Sequence, residues 1–455
     1  MPISDFPAVL QPIVQKGMLQ REFQNGLKSM LAFRAIADRE PFPNSVGETI
    51  TKTRKGLKKP VTTAMDPTQN TNLDNGLTPS TFSVEQYTLG IDMYGDTTDL
   101  NIVTSQSAIA NMFLANSYTN GIQAIQSLER IARNALFFGN GSDLGGYISG
   151  NTRVITALAA AGTTIQVDDI RGFTAAFNPY GQIAAVSSSL TMPVLVGSTV
   201  YTLTGVTPDA TNASTAPEGG ISGTLTFTSN VSEADGAAGS AVVALTAPKV
   251  LRPNGKKTTA ALTASNGTGD YLNMSTCLSA VAKLRNNNVP PAAGGFYHCY
   301  LDENQRLGLF NDQMFQRLYR GAYDSDPARD AQIIELAGIR FMPTTEAPQQ
   351  TLEGVGQIHR AIICGQGALI EGDFAHIEGL PVPDIDKSET AVVDGIAMVT
   401  RPPLDRLRQI IAQSWYWIGG FALPTDMTAN NEIIPTATSS YLKRAVVIES
   451  MGLDD

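Results

Sequence analysis

Residues 84–138 read VEQYTLGIDMYGDTTDLNIVTSQSAIANMFLANSYTNGIQAIQSLERIARNALFF. The first part is strand-like: Val84, Gln86 and Thr88 fall on one face of a period-two segment, and Glu85, Tyr87, Leu89, Ile91 and Met93 on the other. The second part reads as a helix. Asp99, Thr104 and Ser105 offer N-cap oxygens, and Ile109, Met112, Phe113, Tyr118, Ile122, Ile125, Leu128, Ala132, Ala135 and Leu136 recur at three- and four-residue steps. No proline interrupts residues 80–138, and only Gly121 weakens the helical pattern. At 1.5 Å per residue, a helix from about Ser105 to Phe138 spans about 50 Å. The turn G-N-G-S-D-L-G-G at 139–146 ends it. So long a helix, with one apolar stripe and no heptads, is expected to lie across a sheet.

The whole chain has 455 residues, enough for several domains and a substantial core. Charged residues make up only 16%, so much of the surface is uncharged Ser, Thr, Gly, Asn and Ala, which suits contact with other protein. The net charge of −10 argues against a free nucleic-acid binder. Cys277, Cys299 and Cys364 lack C-x-x-C spacing and read as reduced core thiols. No signal-peptide pattern opens the sequence and no apolar run reaches the roughly 18 residues of a membrane span; the expectation is a product soluble and cytosolic at synthesis.

Residues 1–46 read as an arm with some helix, broken by Pro2, Pro7 and Pro12 and expected to dock on its own body or a neighbour. From Gly47 the chain makes a two-way excursion with a turn-rich tip at 65–80, returning through Phe82. Half of some 40 residues at about 3.3 Å each gives a reach of up to about 60 Å. An isolated two-stranded arm is marginal in water, so a partner is expected to support it. Lys52, Arg54, Lys55, Lys58 and Lys59 cluster on it without aromatic interleaving, which is weak as a nucleic-acid site and better matched to an acidic neighbour. The acidic tract Glu371, Asp373, Glu378, Asp384, Asp386, Glu389 and Asp394, opposed only by Lys387, is the candidate counterpart.

A basic extended loop, then the strand VEQYTLGIDMYGDTTDL, then a helix ending LERIARNALFFGNG resembles the major capsid proteins of tailed bacteriophages, the HK97 fold. LSAVAKLRNNNVPP…GGFYHCYLDENQ and FQRLYRGAYDSDPARDAQIIELAGIRFMPTTEAP are similar to one branch of that family. The resemblance covers most of residues 47–150 and 265–420 and rests on the order of soft patterns. It implies an α+β, HK97-like fold: an N-terminal arm (1–46), an E-loop (47–83), a P-domain strand and spine helix (84–150), an A-domain (265–400) and a return to the P-domain (401–455). It further implies a shell of hexamers and pentamers around double-stranded DNA, with portal, scaffolding and decoration or cement proteins as partners, in the virion and, during assembly, the host cytoplasm.

Residues 151–264 depart from that pattern. Short strands such as T-T-I-Q-V, P-V-L-V-G-S-T-V-Y-T-L, G-T-L-T-F-T and S-A-V-V-A-L are separated by turn signals, which predicts an inserted all-β domain, a sandwich or a barrel. Beyond it, Y-L-N-M-S-T-C-L-S-A-V-A-K-L-R is an amphipathic helix, G-F-Y-H-C-Y-L a buried strand, Arg306 to Tyr319 a helix, and I-I-E-L-A-G-I-R-F-M-P and H-R-A-I-I-C-G lead to further strands of a mixed α/β domain. R-Q-I-I-A-Q-S-W-Y-W-I-G-G-F-A-L reads as a strand with Trp415 and Trp417 in the core.

No P-loop, H-E-x-x-H, EF-hand or G-x-S-x-G pattern appears. G-N-G-S-D-L-G at 139 follows a helix and misses dinucleotide spacing. His298, His359 and His376 are the only neutral-pH bases, and His298 sits in an apolar strand. Asp373, His376 and Glu378 have ligand-like types, which an exposed acidic loop explains equally. The reading is therefore a structural shell protein with no catalytic, cofactor or metal residues. The alternatives are an encapsulin-type compartment and an α/β enzyme with a β accessory domain.

Overall fold

The computed structural model describes residues 18–27, 32–42, 49–55, 57–62, 64, 84–101, 109–264, 269–321, 334–374, 390–401, 406–407, 409–426 and 433–453. It is a mixed α+β structure in two compact units. One comprises Met1–Ile50, Thr88–Arg133 and Ile370–Ala422, the other Thr51–Tyr87, Asn134–Leu369 and Leu423–Asp455.

In the first unit, helix α1 (Met18–Leu27) buries Leu19, Phe23 and Leu27, spaced four residues apart, against helix α2 (Ile109–Phe138). The two backbones touch at a pair of glycines. A Cβ on Gly121 would lie 2.6 Å from the Phe23 carbonyl oxygen, and one on Gly26 would collide with the Tyr118 carbonyl oxygen. The residue that weakens the helical pattern in the sequence is therefore the one that lets α1 approach. The buried stripe of α2 runs Phe113, Ser117, Asn120, Ala124, Leu128, Ala132. Met112 and Tyr118, expected on it, lie about 100° or more round the helix from its centre and are 45% and 43% exposed. Of the expected caps, Asp99 sits in a strand, while Thr104 and Ser105 lie outside the described residues.

That strand is β4 (Asp92–Asn101), and β3 (Val84–Gly90) precedes it. The extended segment breaks at Ile91: β3 pairs with β2 (Thr49–Lys55), β4 with β22 (Ile410–Ala422). Side-chain parity is not carried across the break, so Leu89 is fully buried while Met93 is 72% exposed. The sheet of this unit has the order β1-β19-β22-β21-β20, from β1 (Ala37–Phe42), β19 (Leu369–Phe374), β20 (Thr390–Val393) and β21 (Ile396–Arg401), with β4 also paired to β22. Gly419 pairs with both Asp92 and Asp373, so β4 and β19 flank β22 on opposite edges. On β22, Ile411, Gln413, Trp415 and Trp417 alternate into the core under α2. Asn116 donates to Gln413 (2.6 Å) and the Trp415 indole to Gln123 (3.2 Å), which fixes the helix on the sheet.

The second unit holds two larger sheets. One has the order β5-β12-β9-β10-β11-β6, from β5 (Asn151–Arg153), β6 (Gly162–Val167), β9 (Met192–Val196), β10 (Thr199–Pro208), β11 (Gly223–Val231) and β12 (Ala241–Ala244). Its two end strands meet. Val154 bridges Val167, Ile155 N–H donates to Gln166 (3.0 Å) and Asp168 N–H to Arg153 (3.1 Å), so the sheet closes on itself and leaves no long edge. Alternate residues fill the interior: Ile165, Val167, Met192, Val194, Val196, Leu203, Leu225, Phe227 and Val242. β9 and β10 are joined by a two-residue turn in which Gly197 takes φ 59°. A short pair, β7 (Ala175–Phe177) and β8 (Ile183–Ala185), lies outside the closed sheet.

The other sheet has the order β13-β23-β18-β14-β16-β15, with β17 (Gln349–Leu352) also on β18 (Gly356–Cys364). Its remaining members are β13 (Val250–Leu251), β14 (Tyr297–Leu301), β15 (Ile334–Leu336), β16 (Ile339–Pro343) and β23 (Ala445–Met451). The chain has thus joined this sheet by residue 250, earlier than the composition change at 264 suggests, because Val250 and Leu251 pair in parallel with Val447 and Ile448. β14 and β23 are buried along their whole length, as expected of strands covered on both faces. Helix α3 (Met274–Asn286), capped by Asn273 accepting from Thr276 N–H, contributes Cys277, Ala280, Val281 and Leu284 to the same core. The expected helix from Arg306 to Tyr319 is two helices, α4 (Glu303–Asn311) and α5 (Gln313–Gly321). Asp312 divides them because its carboxylate accepts from the Met314 and Met274 N–H groups (3.1 and 2.8 Å), a capping role that ends one helix and starts the next.

Candidate inter-subunit contact region

The basic excursion is carried by β2 and β3, which pair only with each other among the described residues. On β2, Thr49, Thr51 and Thr53 are exposed while Ile50 and Lys52 are half-buried, so the threonine side is the open one. Beyond the strand, Leu57, Lys58, Lys59 and Val61 are exposed, Val61 at 84%. Arg54 and Lys55 belong to the backbone of β2; their side chains, and residues 65–83 with the expected tip at 65–80, lie outside the described residues. The hairpin is anchored at its base by Leu89, against which Gly372 packs so closely that a Cβ there would meet Leu89 at 3.0 Å.

The acidic counterparts separate into different environments. Glu371 is not part of an exposed tract. It is 1% exposed, accepting from Arg34 Nε at 3.1 Å and Nη2 at 2.6 Å, with Arg39 at 3.8 Å. This corrects its reading as a partner for the basic arm: its charge is satisfied within the subunit. Proximity in sequence to Asp373 concealed the fact that residue 371 turns inward on β19. Its partner Arg34 is 337 positions away. Asp373 pairs through its backbone with Gly419, and Asp394 is exposed at the turn after β20. Glu378, Asp384, Asp386 and Glu389 lie outside the described residues.

A second buried carboxylate, Glu129 on α2, accepts from the backbone N–H groups of Ala32, Phe33 and Arg34 at 2.9, 2.6 and 3.2 Å. Hydrogen bonds to a charged acceptor are worth about 1.5–3 kcal/mol each, so this residue and the Arg34–Glu371 pair pin residues 32–34 to their own unit. The sequence signal for it was one acid, Glu129, inside the apolar stripe of a helix.

The described histidines and cysteines are buried. His298 is 6% exposed and near the Ala293 carbonyl (3.2 Å); burial pushes its imidazole below the usual range. His359 is fully buried and pairs with Asp302, whose other oxygen caps α4 by accepting from Gln305 N–H at 2.7 Å. His376 lies outside the described residues. The three cysteines are buried and free, and burial raises the Cys277 thiol to about 12. Among the described residues no group of three His, Cys, Asp or Glu could hold a metal ion; His376 and Glu378 and the Asp373 side chain fall outside them. No described helix is long and apolar enough to cross a membrane.

No protein-family model and no curated protein matches the chain. Solved structures similar to it include phage capsids. One is the capsid asymmetric unit of cyanophage Pam1, at 10% identity and TM-score 0.47, covering 91% of this chain and 89% of that one. Another is the capsid of Ralstonia phage GP4, at 11% identity and TM-score 0.46, covering 93% and 89%. A third is the acid-stable capsid of Helicobacter pylori bacteriophage KHP30, at 9% identity and TM-score 0.45, covering 92% and 91%.

Proposed function

We propose that the chain is the major capsid protein of a tailed phage, an HK97-like shell subunit and not an enzyme. The observation that carries this is the basic two-stranded hairpin β2–β3, which runs directly into β4 and the 30-residue helix α2. A strand pair with no further strand on either edge among the described residues, and with little apolar content, is marginal alone, so its stability is completed by another surface. In this reading residues 47–83 are the E-loop lying over an adjacent subunit, α2 is the spine of the P-domain, and 265–400 form the A-domain. Residues 151–264 are an insertion, and 1–46 form the N-terminal arm. Lys52, Arg54, Lys55, Lys58 and Lys59 meet acids of the neighbour, among which Asp373, Glu378, Asp384 and Asp386 are the candidates. Hexamers and pentamers close into a shell around double-stranded DNA, with portal, scaffolding and decoration proteins as partners, first in the host cytoplasm and then in the virion.

Apolar burial at about 25 cal/mol per Å2, reduced by association entropy, leaves single contacts weak and a closed shell strong. Expressed alone or with a scaffolding partner, the protein is expected to form closed particles, tubes or sheets in negative stain. Sedimentation as a monodisperse monomer under all such conditions overturns the proposal.

A further inference from the structure

Between the closed sheet and the seven-stranded sheet, both within the second unit, lies a cavity of ≈ 30 Å3 lined by Arg153, Asp168, Thr259, Gln350, Arg360 and Glu449, among others. These residues form one continuous polar chain. Arg153 meets Asp168 (3.4 Å), Asp168 accepts from Gln350 (3.1 Å), and Gln350 accepts from Arg360 Nη2. Arg360 Nε donates to Glu449 (3.1 Å), whose other oxygen accepts from Arg252 Nε and the Thr259 hydroxyl (both 2.9 Å).

Two features of this chain are left unbalanced. The first is a donor: Arg360 is 3% exposed, its Nε and Nη2 are engaged, and its Nη1 has no hydrogen-bond partner. The second is charge. Arg153, Arg252 and Arg360 face Asp168 and Glu449, which leaves one positive charge over; the neighbouring Arg171 and Asp169 pair with each other at 2.7 Å. A buried donor without an acceptor is costly, and the surplus positive charge, carried by Arg153 with its side chain 22% exposed, favours an anion at the site.

We infer that this cavity is a binding site for one small monovalent inorganic anion of halide size, seated on Nη1 of Arg360. A water could accept the hydrogen bond but would leave the excess charge in place. A cation would add to that excess. The volume is two to three times the ~10–15 Å3 that a single water requires, which admits a halide. The occupant would complete the junction between the two sheets, neutralising a network that reaches from the closed sheet to β18 and β23.

The test is anomalous diffraction from crystals of the full chain grown with bromide replacing chloride, together with thermal melting in chloride against isethionate at constant ionic strength. A bromide peak within hydrogen-bond distance of Arg360 Nη1 is expected, with a melting midpoint that rises saturably with chloride and not with isethionate. Arg252→Gln removes the excess charge while keeping Nη1, and is expected to flatten the chloride dependence. Density at the site without bromide scattering identifies a water and overturns the inference. Bromide at the site with no chloride dependence of melting identifies an adventitious ion only, and overturns it equally. The wild-type measurements decide the matter even if the variant does not fold.

Discussion

The hairpin β2–β3 and the closed sheet β5–β12 are both built of threonine-rich strands, yet they treat their edges oppositely. The closed sheet joins Val154 to Val167 and gathers its apolar side chains inward around Leu203, Leu225 and Phe227. The hairpin keeps its strand pair alone among the described residues, with exposed threonines on one side and cations along its length. Closure supplies a sheet with its own partners for backbone groups and its own core; an open pair must find both elsewhere. Under the proposed function, folding stability is expected to reside in the closed sheet and assembly in the hairpin.

That contrast can be broken most sharply on the hairpin. Arg54→Glu, Lys58→Glu and Lys59→Glu together are expected to abolish particle formation while changing subunit stability by no more than about 0.5 kcal/mol per site, the usual range for surface changes. Normal assembly of the triple variant, scored by negative stain and sedimentation, would leave the charge incidental and assign the contact to backbone pairing. In the closed sheet the effect falls on folding instead. Leu225→Ala, at a fully buried position, is expected to cost about 2–5 kcal/mol, whereas Val61→Ala on the exposed segment changes the urea midpoint little. Equal, small effects from the two would mean that the closed sheet has no packed core.

Asp235 sharpens the same contrast through pH. It accepts from the Ser198 N–H (2.9 Å), the Tyr201 and Ser232 hydroxyls (2.9 and 3.0 Å) and the Ser198 hydroxyl (3.0 Å). The Ser198 backbone N–H above all holds its carboxyl far below the usual range against the opposing effect of burial. A carboxylate depressed in the folded state stabilises above the unfolded value, about pH 3.9, and that contribution is lost as pH falls toward the folded value. Asp235→Ala should therefore cost about 2 kcal/mol at pH 7, and the gap from wild type should narrow below about pH 4. A gap that stays constant in acid would show that the charged form is not what matters. The smallest expected effect is that of salt. Exposed pairs are worth about 0–1 kcal/mol each and the Debye length is about 8 Å at 0.15 M, so added salt should slow assembly while leaving subunit melting nearly unchanged. Assembly that accelerates with salt would point to apolar contacts through Leu57 and Val61.

Regular local patterns were legible in the sequence. The alternation in T-T-I-Q-V, P-V-L-V-G-S-T-V-Y-T-L and G-T-L-T-F-T marks β6, β9, β10 and β11, because half-buried strands write their faces at period two. Features that depend on remote partners were not legible. Periodicity runs straight through Asp312, whose cap is completed by Met274 from another helix. Gly121 reads as a defect until Gly26 is set against it. Glu371 reads as one acid among several because nothing local announces Arg34. The candidate contact region was legible as a cluster of cations, but which acids remain free to meet it depends on burial, and burial is a property of the fold.

The closed sheet begins and finishes at one place. Asn151 pairs with Val243, and the Ala244 N–H donates to the Gly150 carbonyl at 2.9 Å. To the rest of the polypeptide, the stretch between those two carbonyl and amide groups is a single stitch, whatever its length. Each doubling of such a loop's length adds only about 0.6 kcal/mol to the cost of closing it. Genes could therefore exchange this stretch for a longer, shorter or wholly unrelated one with similarly close ends. The rest of the second unit would register the exchange where Asp168 and Thr215 meet Gln350, where Phe177 packs on Tyr441 (4.8 Å) and where Arg171 lies over Phe138.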